Sequence, residues 1–393
     1  MTIGGSSAAA ELAAITPWAE KAAPIDVAER NARLERARAL TAALGADALL
    51  VQAGPSLHYF TGVPWNPTER LVALLLPVIG TPRLICPAFE RGSLEAELAI
   101  AADLALWEED EDPVALIADV LPAGATLAFD PMLFYSWVRR LTGAGLTTVD
   151  GAPAIDGGRM IKSPAEIALM SQAMRMTLAV HAAAARILQP GIRESEVVRF
   201  IDDAHRAIGG GPSYFCAVQF GRATAYPHGL PGDRVLAEGD LVLVDTGCRV
   251  HGYHSDITRT YAFGPVADEV RAIWDIEHAA QAAAFAAVAP DVPCENIDAA
   301  ARAVLVREGL GPDYRLPGLP HRTGHGIGLS IHEPAYLVRG DKTPLAPGMC
   351  FSNEPMIVVP ERFGIRLEDH FYVTDAGAAW FTEPQPSIDR PFD

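Results

Sequence analysis

The distribution of apolar and polar positions divides the chain into two parts with different rhythms. In the first, residues 27 to 44 (VAERNARLERARALTAAL) have helical composition and stop at Gly45, and the apolar run DALLVQA follows. Short β-rich runs come next, RLVALLLPV from Arg70 and PRLICPA from Pro82, with Pro and Gly between them. Helical stretches, the run TLAFD and a helix near Met132 to Leu141 complete the pattern of an α/β domain. The Gly- and Pro-rich stretch DGAPAIDGGRMIK ends it, which predicts domains over 1–155 and 156–393.

The second part opens on Ser163-Pro164-Ala165-Glu166, a capping box with proline in the first helical turn. A long helix is expected from there to Pro190-Gly191, then a second from about Glu194 to Ile208, closed by Gly209. LVLVDTG reads as a strand and leads into YHSDITRTYAF. The order then recurs: a helix from about Asp268 to Val288, a break at Pro290, a helix from about Glu295 to Glu308, and strands in CFSNEPMIVV and GIRLEDHFYV. Two helix–helix–strands units predict an α+β domain with pseudo-twofold symmetry. The start of the chain is expected to be loose, and the Pro-rich ending EPQPSIDRPFD to be an exposed tail.

Composition narrows the function. The 31 basic and 49 acidic residues leave a net charge of -18, which disfavours nucleic acid and anionic membranes. Cys86, Cys216, Cys248, Cys294 and Cys350 are odd in number, widely spaced and without a C-x-x-C pair, as expected of reduced cytoplasmic thiols. No stretch has the roughly 20 apolar residues that span a bilayer, and the N-terminus lacks a basic leader.

The candidate chemistry lies in the second part. Asp245 and Asp256 are symmetric about a point between Val250 and His251, so a hairpin turning there would make them cross-strand neighbours with Cβ atoms about 4.5–5.5 Å apart. At that distance like charges repel unless a cation intervenes. Glu354 and Glu368 stand in a similar relation about Glu361, and His325 lies in H-R-T-G-H-G-I-G. Four carboxylates and one imidazole suit a pair of divalent cations. The bland alternative makes each acid a surface residue paired with Arg259 or Arg366. Gly324, Gly326 and Gly328 are read as turn and close-approach glycines, Cys248 and Cys350 as core residues, and His251, His254 and His370 are unassigned.

The segments LVLVDTGCRVHGYHSDITRTY, HRTGHGIGLSIHE, SNEP and IRLED resemble the signature of the creatinase/methionine-aminopeptidase superfamily with its pita-bread fold, nearest to the Xaa-Pro peptidase branch. The resemblance runs from about Lys162 onward and, more loosely through LHYFTGVPW, into the first domain. It implies that Asp245, Asp256 and Glu368 reach one metal or bridge both, that His325 and Glu354 complete the other, and that hydroxide lies between. Asp256 and Glu368 are the expected bridges. Such a pair lowers the pKa of its water and polarises the scissile carbonyl, while Glu354 carries the proton to the departing proline nitrogen. His228, His321 and His332 would line the substrate pocket and stabilise the tetrahedral intermediate or the leaving proline. Arg366, on the strand face of Glu368, could grip a substrate carboxylate or equally hold a ligand carboxylate in place. Val358 departs from the pattern, which has tyrosine four residues after the Glu of E-P.

The resemblance implies hydrolysis of Xaa-Pro dipeptides with two divalent ions, Mn²⁺ first and Zn²⁺ or Co²⁺ next, in a cytoplasmic homodimer whose loop Leu57 to Asn66, with Trp65, approaches the partner's site. The rival readings are an Xaa-Pro aminopeptidase on longer peptides and a pita-bread protein of altered catalysis that acts on or binds a non-peptide ligand.

Overall fold

A computed structural model describes residues 3–393. They form two compact units: Ile25–Met160, and a second unit made of the residues up to Pro24 together with Ile161–Asp393.

In the unit Ile25–Met160, the helix Val27–Ala43 begins where the Asp26 carboxylate accepts the Glu29 amide at 2.7 Å. The six-stranded sheet runs Asp103–Trp107, Arg83–Pro87, Ala73–Pro77, Ala48–Gln52, Thr126–Phe129, Thr147–Asp150. Ala73–Pro77 is antiparallel to both its neighbours, and the other pairs are parallel. Strands Ala48–Gln52 and Ala73–Pro77 are buried throughout, which explains their unbroken apolar runs. Leu50, Leu75, Ile85, Ile117, Leu127 and Trp137 share one core cluster. The helix expected near Met132–Leu141 spans Tyr135–Gly143.

In the other unit the capping box is present: Ser163 Oγ accepts the Glu166 amide at 3.2 Å, and Glu166 Oε2 accepts the Ser163 amide at 2.9 Å. Helix Pro164–Arg186 is followed by Glu194–Ile208, which ends at Gly209 with φ 96°. Helices Asp268–Ala286 and Cys294–Arg307 form the second pair. The two helix-to-helix connections match bond for bond. Gly191 and Asp291, both with positive φ, donate to the carbonyls of Leu236 and Leu345, whose own amides donate back to Ile192 and Val292. This is the duplication in backbone form, carried by Pro190 and Pro290 at equivalent places and by little else in the residues.

Each helix pair backs a sheet. Strands Phe215–Phe220, Leu241–Gly247 and Ile257–Ala262 form a three-stranded sheet with Leu241–Gly247 in the middle. Strands Glu333–Leu337, Gly324–Gly326, Cys350–Asn353, Asp369–Thr374 and Gly377–Trp380 form a five-stranded one, beside the hairpin Met356–Val359/Phe363–Arg366. A bridge between Thr258 and Glu368 links the two halves.

Both ends of this unit differ from the sequence expectation. The Gly4 and Ser6 amides donate to the Ala185 and Arg186 carbonyls, and Trp18 donates to Ile208. The N-terminal segment thus satisfies the last carbonyls of two helices, a tertiary cap that local composition does not reveal. Near the C-terminus, the fully buried Gln385 donates to the Thr260 carbonyl at 2.8 Å. Ile388 is buried and Phe392 packs near Tyr261, so the Pro-rich ending is part of the packed unit.

Candidate metal centre

The first pair of acids comes from the hairpin of Leu241–Gly247 and Ile257–Ala262. His251 and Gly252, with φ 49° and 86°, make a two-residue turn of the kind that fits a twisted hairpin. The axis therefore lies between His251 and Gly252, one residue later than the spacing suggested. Asp245 pairs with Thr258, and Asp256, just outside the strand, is its diagonal neighbour on the same face rather than its direct partner.

The second pair meets the expected register. Met356 pairs with Arg366 on one side and Asn353 with Asp369 on the other, so Glu354 stands opposite Glu368 across a turn where Glu361 has φ 63°. Both glutamates occupy interruptions between strands. Pro355 has no N–H to continue the ladder. The freed amides turn outward: Glu354 donates to Thr323 at 2.8 Å, beside the His325 strand, and Glu368 donates to Thr258 at 3.1 Å, beside Asp256. Each interruption thereby ties a glutamate to a segment that carries another candidate ligand.

Buried side chains fix this arrangement from behind. Gln281 Nε2 lies 3.3 Å from the Asn353 carbonyl, 3.2 Å from that of Leu367 and 3.1 Å from Asp369 Oδ2. It therefore holds the residues immediately before both glutamates. Arg259, fully buried, pairs with Asp369 at 2.6 Å and donates to the Glu368 carbonyl at 2.9 Å. The glycines leave no room for a side chain: a Cβ at Gly324 would lie 2.0 Å from the Ser352 carbonyl oxygen, and one at Gly326 2.6 Å from that of Glu333. These are backbone approaches, as expected.

Two groups of donor atoms converge. Asp256, Glu368 and His370 can bring one atom each within 4.8 Å of one another, as can His325, Glu354 and Glu368. Glu368 belongs to both. Asp245 is in neither: Arg366 Nη2 holds its Oδ2 at 2.5 Å, and Arg366 Nε donates to Thr258 Oγ1 at 3.1 Å. Arg366 is thus engaged by a candidate ligand. His325 Nδ1 faces the Gly326 carbonyl at 3.0 Å, an acceptor only, so Nδ1 carries a proton, and Nε2 faces Glu354 Oε1 at 3.0 Å.

The donor set fits divalent cations. Asp245 Oδ1, Asp256 Oδ1 and Glu368 Oε1 are buried without a hydrogen-bond partner among the described residues, a costly state for carboxylates unless a cation meets them. Burial, then the charges of Glu368, Asp245 and Glu354, push Asp256 well above the usual carboxylate range. Burial, then Glu354 and Asp245, do the same to Glu368. Burial also works to raise Glu354, but the hydrogen bond and charge of His325, with His321 and Arg366, hold it well below that range.

The outlying residues are placed variously. His332 lies edge-on to His325, ring centroids 4.2 Å apart. His321 donates from Nδ1 to the Arg322 carbonyl at 2.7 Å; burial pushes it down and Glu354 pulls it up. His228 is exposed and lines a cavity of about 510 Å³ with Phe215, Val218 and Gln219, along the strand whose Ala217 pairs with Asp245. His370, to which the sequence assigns no role, has both ring nitrogens buried without partners among the described residues and joins the first donor group. The signal was its position two residues after Glu368, which places it on the same face of an extended segment. Val358 is 3 % exposed and exchanges backbone bonds with Gly318.

The profile of the metallopeptidase family M24 matches residues 168–375, and that of the creatinase/prolidase N-terminal domain matches 33–161. The chain belongs to metallopeptidase family M24. It is 38 % identical to the probable dipeptidase PepE of Mycobacterium tuberculosis over 351 residues, 88 % of this chain and 92 % of that protein. Among solved structures it resembles dipeptidase PepE from Mycobacterium ulcerans (36 % identity, TM-score 0.84, 92 % and 97 % of the two chains covered). It also resembles a prolidase from Thermococcus sibiricus (30 %, 0.82, 92 % and 98 %). An X-Pro aminopeptidase from Thermotoga maritima is similar at 25 % identity and TM-score 0.79, with 90 % and 98 % covered. An M24 metallopeptidase with a creatinase-type first domain and a pita-bread second one accounts for the fold, and its metal-dependent peptide hydrolysis for the acidic centre. Among the described residues no helix is long and apolar enough to cross a membrane.

Proposed function

We propose that this M24 protein hydrolyses Xaa-Pro dipeptides with two divalent cations, Mn²⁺ foremost, held by Asp245, Asp256, His325, Glu354 and Glu368. The observation that carries the reading is Glu368, which belongs to two donor groups at once while it and the neighbouring Asp245 and Asp256 each keep a buried oxygen without a hydrogen-bond partner among the described residues. Bound there, the cations would supply water of lowered pKa and polarise the scissile carbonyl. The protein does the rest. Glu354, ionised through His325, His321 and Arg366, accepts the proton and returns it to the proline nitrogen, a secondary amine that departs only when protonated. His332, against His325, and His321, whose Nε2 is open once Nδ1 is bonded, bind near the reacting carbonyl. His228 contacts the substrate from its cavity, and Arg366 orients Asp245. The protein acts in the cytoplasm as a homodimer, with the loop around Trp65 reaching the partner's site.

The test is turnover of Ala-Pro beside Ala-Pro-Ala, after chelation and after return of Mn²⁺, Zn²⁺ or Co²⁺. Metal-dependent hydrolysis of Ala-Pro is expected. Cleavage of the tripeptide alone would replace the dipeptidase reading with the aminopeptidase one, which the Thermotoga maritima neighbour favours. Metal binding with no turnover of either would point to altered catalysis.

A further inference from the structure

Helix Cys294–Arg307 buries Ile297, Ala301, Val304 and Leu305, as an amphipathic element does, and among them it also buries Asp298 and Arg302. These two stand one helical turn apart and join at 2.8 Å. A buried ion pair is often no more stabilising than apolar side chains of similar volume, because desolvation offsets the attraction. What it adds is a set of donors and acceptors that apolar residues lack. The bonds of this pair to the rest of the chain run to one segment, residues 308–323, which leads to strand Gly324–Gly326 without a helix or strand of its own. That segment carries His321.

Arg302 Nη1 donates to the Asp313 carbonyl at 2.7 Å and to that of Leu319 at 3.2 Å, and Nη2 donates to that of His321 at 2.6 Å. The face of the guanidinium lies over the Tyr314 ring, 4.5 Å from its centroid. Asp298 Oδ1 accepts the Thr323 hydroxyl at 2.8 Å, and the Thr323 carbonyl accepts the Glu354 amide at 2.8 Å. The pair thus grips the tripeptide His321-Arg322-Thr323 at both ends. His321 donates from Nδ1 to the carbonyl of the next residue, so its own backbone sets the plane of its ring and leaves Nε2 directed away. Holding that backbone from the helix therefore holds the ring. Glu354, the proton carrier of the reaction above, is tied through Thr323 to the same pair.

Resting on the role given to His321 above, we propose that Arg302, backed by Asp298, is a positioning residue of the hydrolytic centre, which aims His321 at the scissile carbonyl from behind the site. The test is a double-mutant cycle of metal-loaded wild type, R302K, H321A and the double variant on Ala-Pro. R302K keeps a charge beside Asp298 and loses the planar fork that reaches three carbonyls. Its kcat should fall about 10- to 100-fold, the range of lost support behind a working group, with KM within a few fold. The double variant should be no slower than H321A, because a displaced ring and a missing one forfeit the same contact. R307Q, at the exposed end of the same helix, should match wild type. A readout without turnover is nitrogen NMR of isotope-labelled histidine. The His321 signal, identified by its loss in H321A, should show the proton fixed on Nδ1 in wild type and a mixture of tautomers in R302K. Thermal unfolding separates misfolding from misplacement, and should R302K not fold, Thr323→Val, which cuts the link from Asp298 alone, replaces it in the cycle. Losses that add, or an unchanged His321 signal, overturn the inference, as does an H321A variant with wild-type turnover. If wild type cleaves Ala-Ala or Ala-Pro-Ala in place of Ala-Pro, the substrate reading fails and the cycle is judged on that peptide. If it cleaves none of them, the catalytic reading fails and the histidine spectrum alone decides whether Arg302 holds the ring.

Discussion

Asp256 shows at the scale of one residue what the fold sacrifices for its chemistry. Buried beside three other acids, with one oxygen unpartnered among the described residues, it is a source of repulsion whenever cations are absent. Asp256→Asn should therefore raise the melting temperature of the chelated protein at pH 8 by a few degrees and cancel the gain that wild type shows on adding Mn²⁺. Calorimetric melts with and without metal test both arms, and a lower chelated melting temperature would refute the account. His205 is the opposite case, a buried side chain with a purely structural role. Its Nδ1 meets Ser213 at 2.7 Å and its Nε2 meets Thr177 at 3.1 Å, and burial holds it down at about 4. Because the folded value is depressed, the unfolded chain takes the proton first. Stability is full above pH 6.5 and falls as pH drops towards 4, with a limit on the order of 3 kcal/mol from this group. Urea unfolding of wild type and His205→Gln at pH 7.5, 6 and 5 should show a flatter acid limb in the variant. Single residues were unevenly legible in the sequence. Four acids and His325 stand out because their types and spacings carry meaning along the chain, whereas the place of His370 in a donor group depends on neighbours that only the packed sheet supplies.

Among the elements, the two interruptions that carry Glu354 and Glu368 matter most. The sequence reads as continuous strands there, because apolar alternation resumes on each side, and only Pro355 hints at a break. The register was legible all the same: a turn centred on Glu361 puts the two glutamates opposite each other. The first hairpin turns one residue later than the symmetry of its aspartates implies, since hairpin position follows turn chemistry, and the two positive φ angles at His251 and Gly252 set it. Gln281, on helix Asp268–Ala286, staples both interruptions from outside the sheet. Gln281→Ala strips donors from two buried carbonyls and should cost about 1–3 kcal/mol. It should also weaken metal binding about tenfold or more, as lost support behind a ligand does. Denaturation and metal titration check the two effects separately, and unchanged metal affinity would show that the staple serves stability alone.

In the molecule as a whole, the α/β first unit and the helix–helix–strands repeat were visible in the pattern of apolar residues, while the two ends were not. The start was expected to be loose and the Pro-rich ending exposed, yet both are held by backbone bonds to distant elements. Deleting residues 384–393 removes buried Gln385, Ile388 and the ring of Phe392, and should cost on the order of 3–5 kcal/mol in urea unfolding. A loss within error would mean that the segment covers nothing of consequence. The shared glutamate carries a further consequence, for the order in which the protein is made. Both donor groups need Glu368, and Asp256 lies 112 positions before it (368 − 256). During synthesis neither group can close until the ribosome has passed that codon, and the Asp256 group also needs the second half folded onto the first. The growing chain therefore lacks this hydrolytic centre, and metal capture becomes one of the last steps of its maturation.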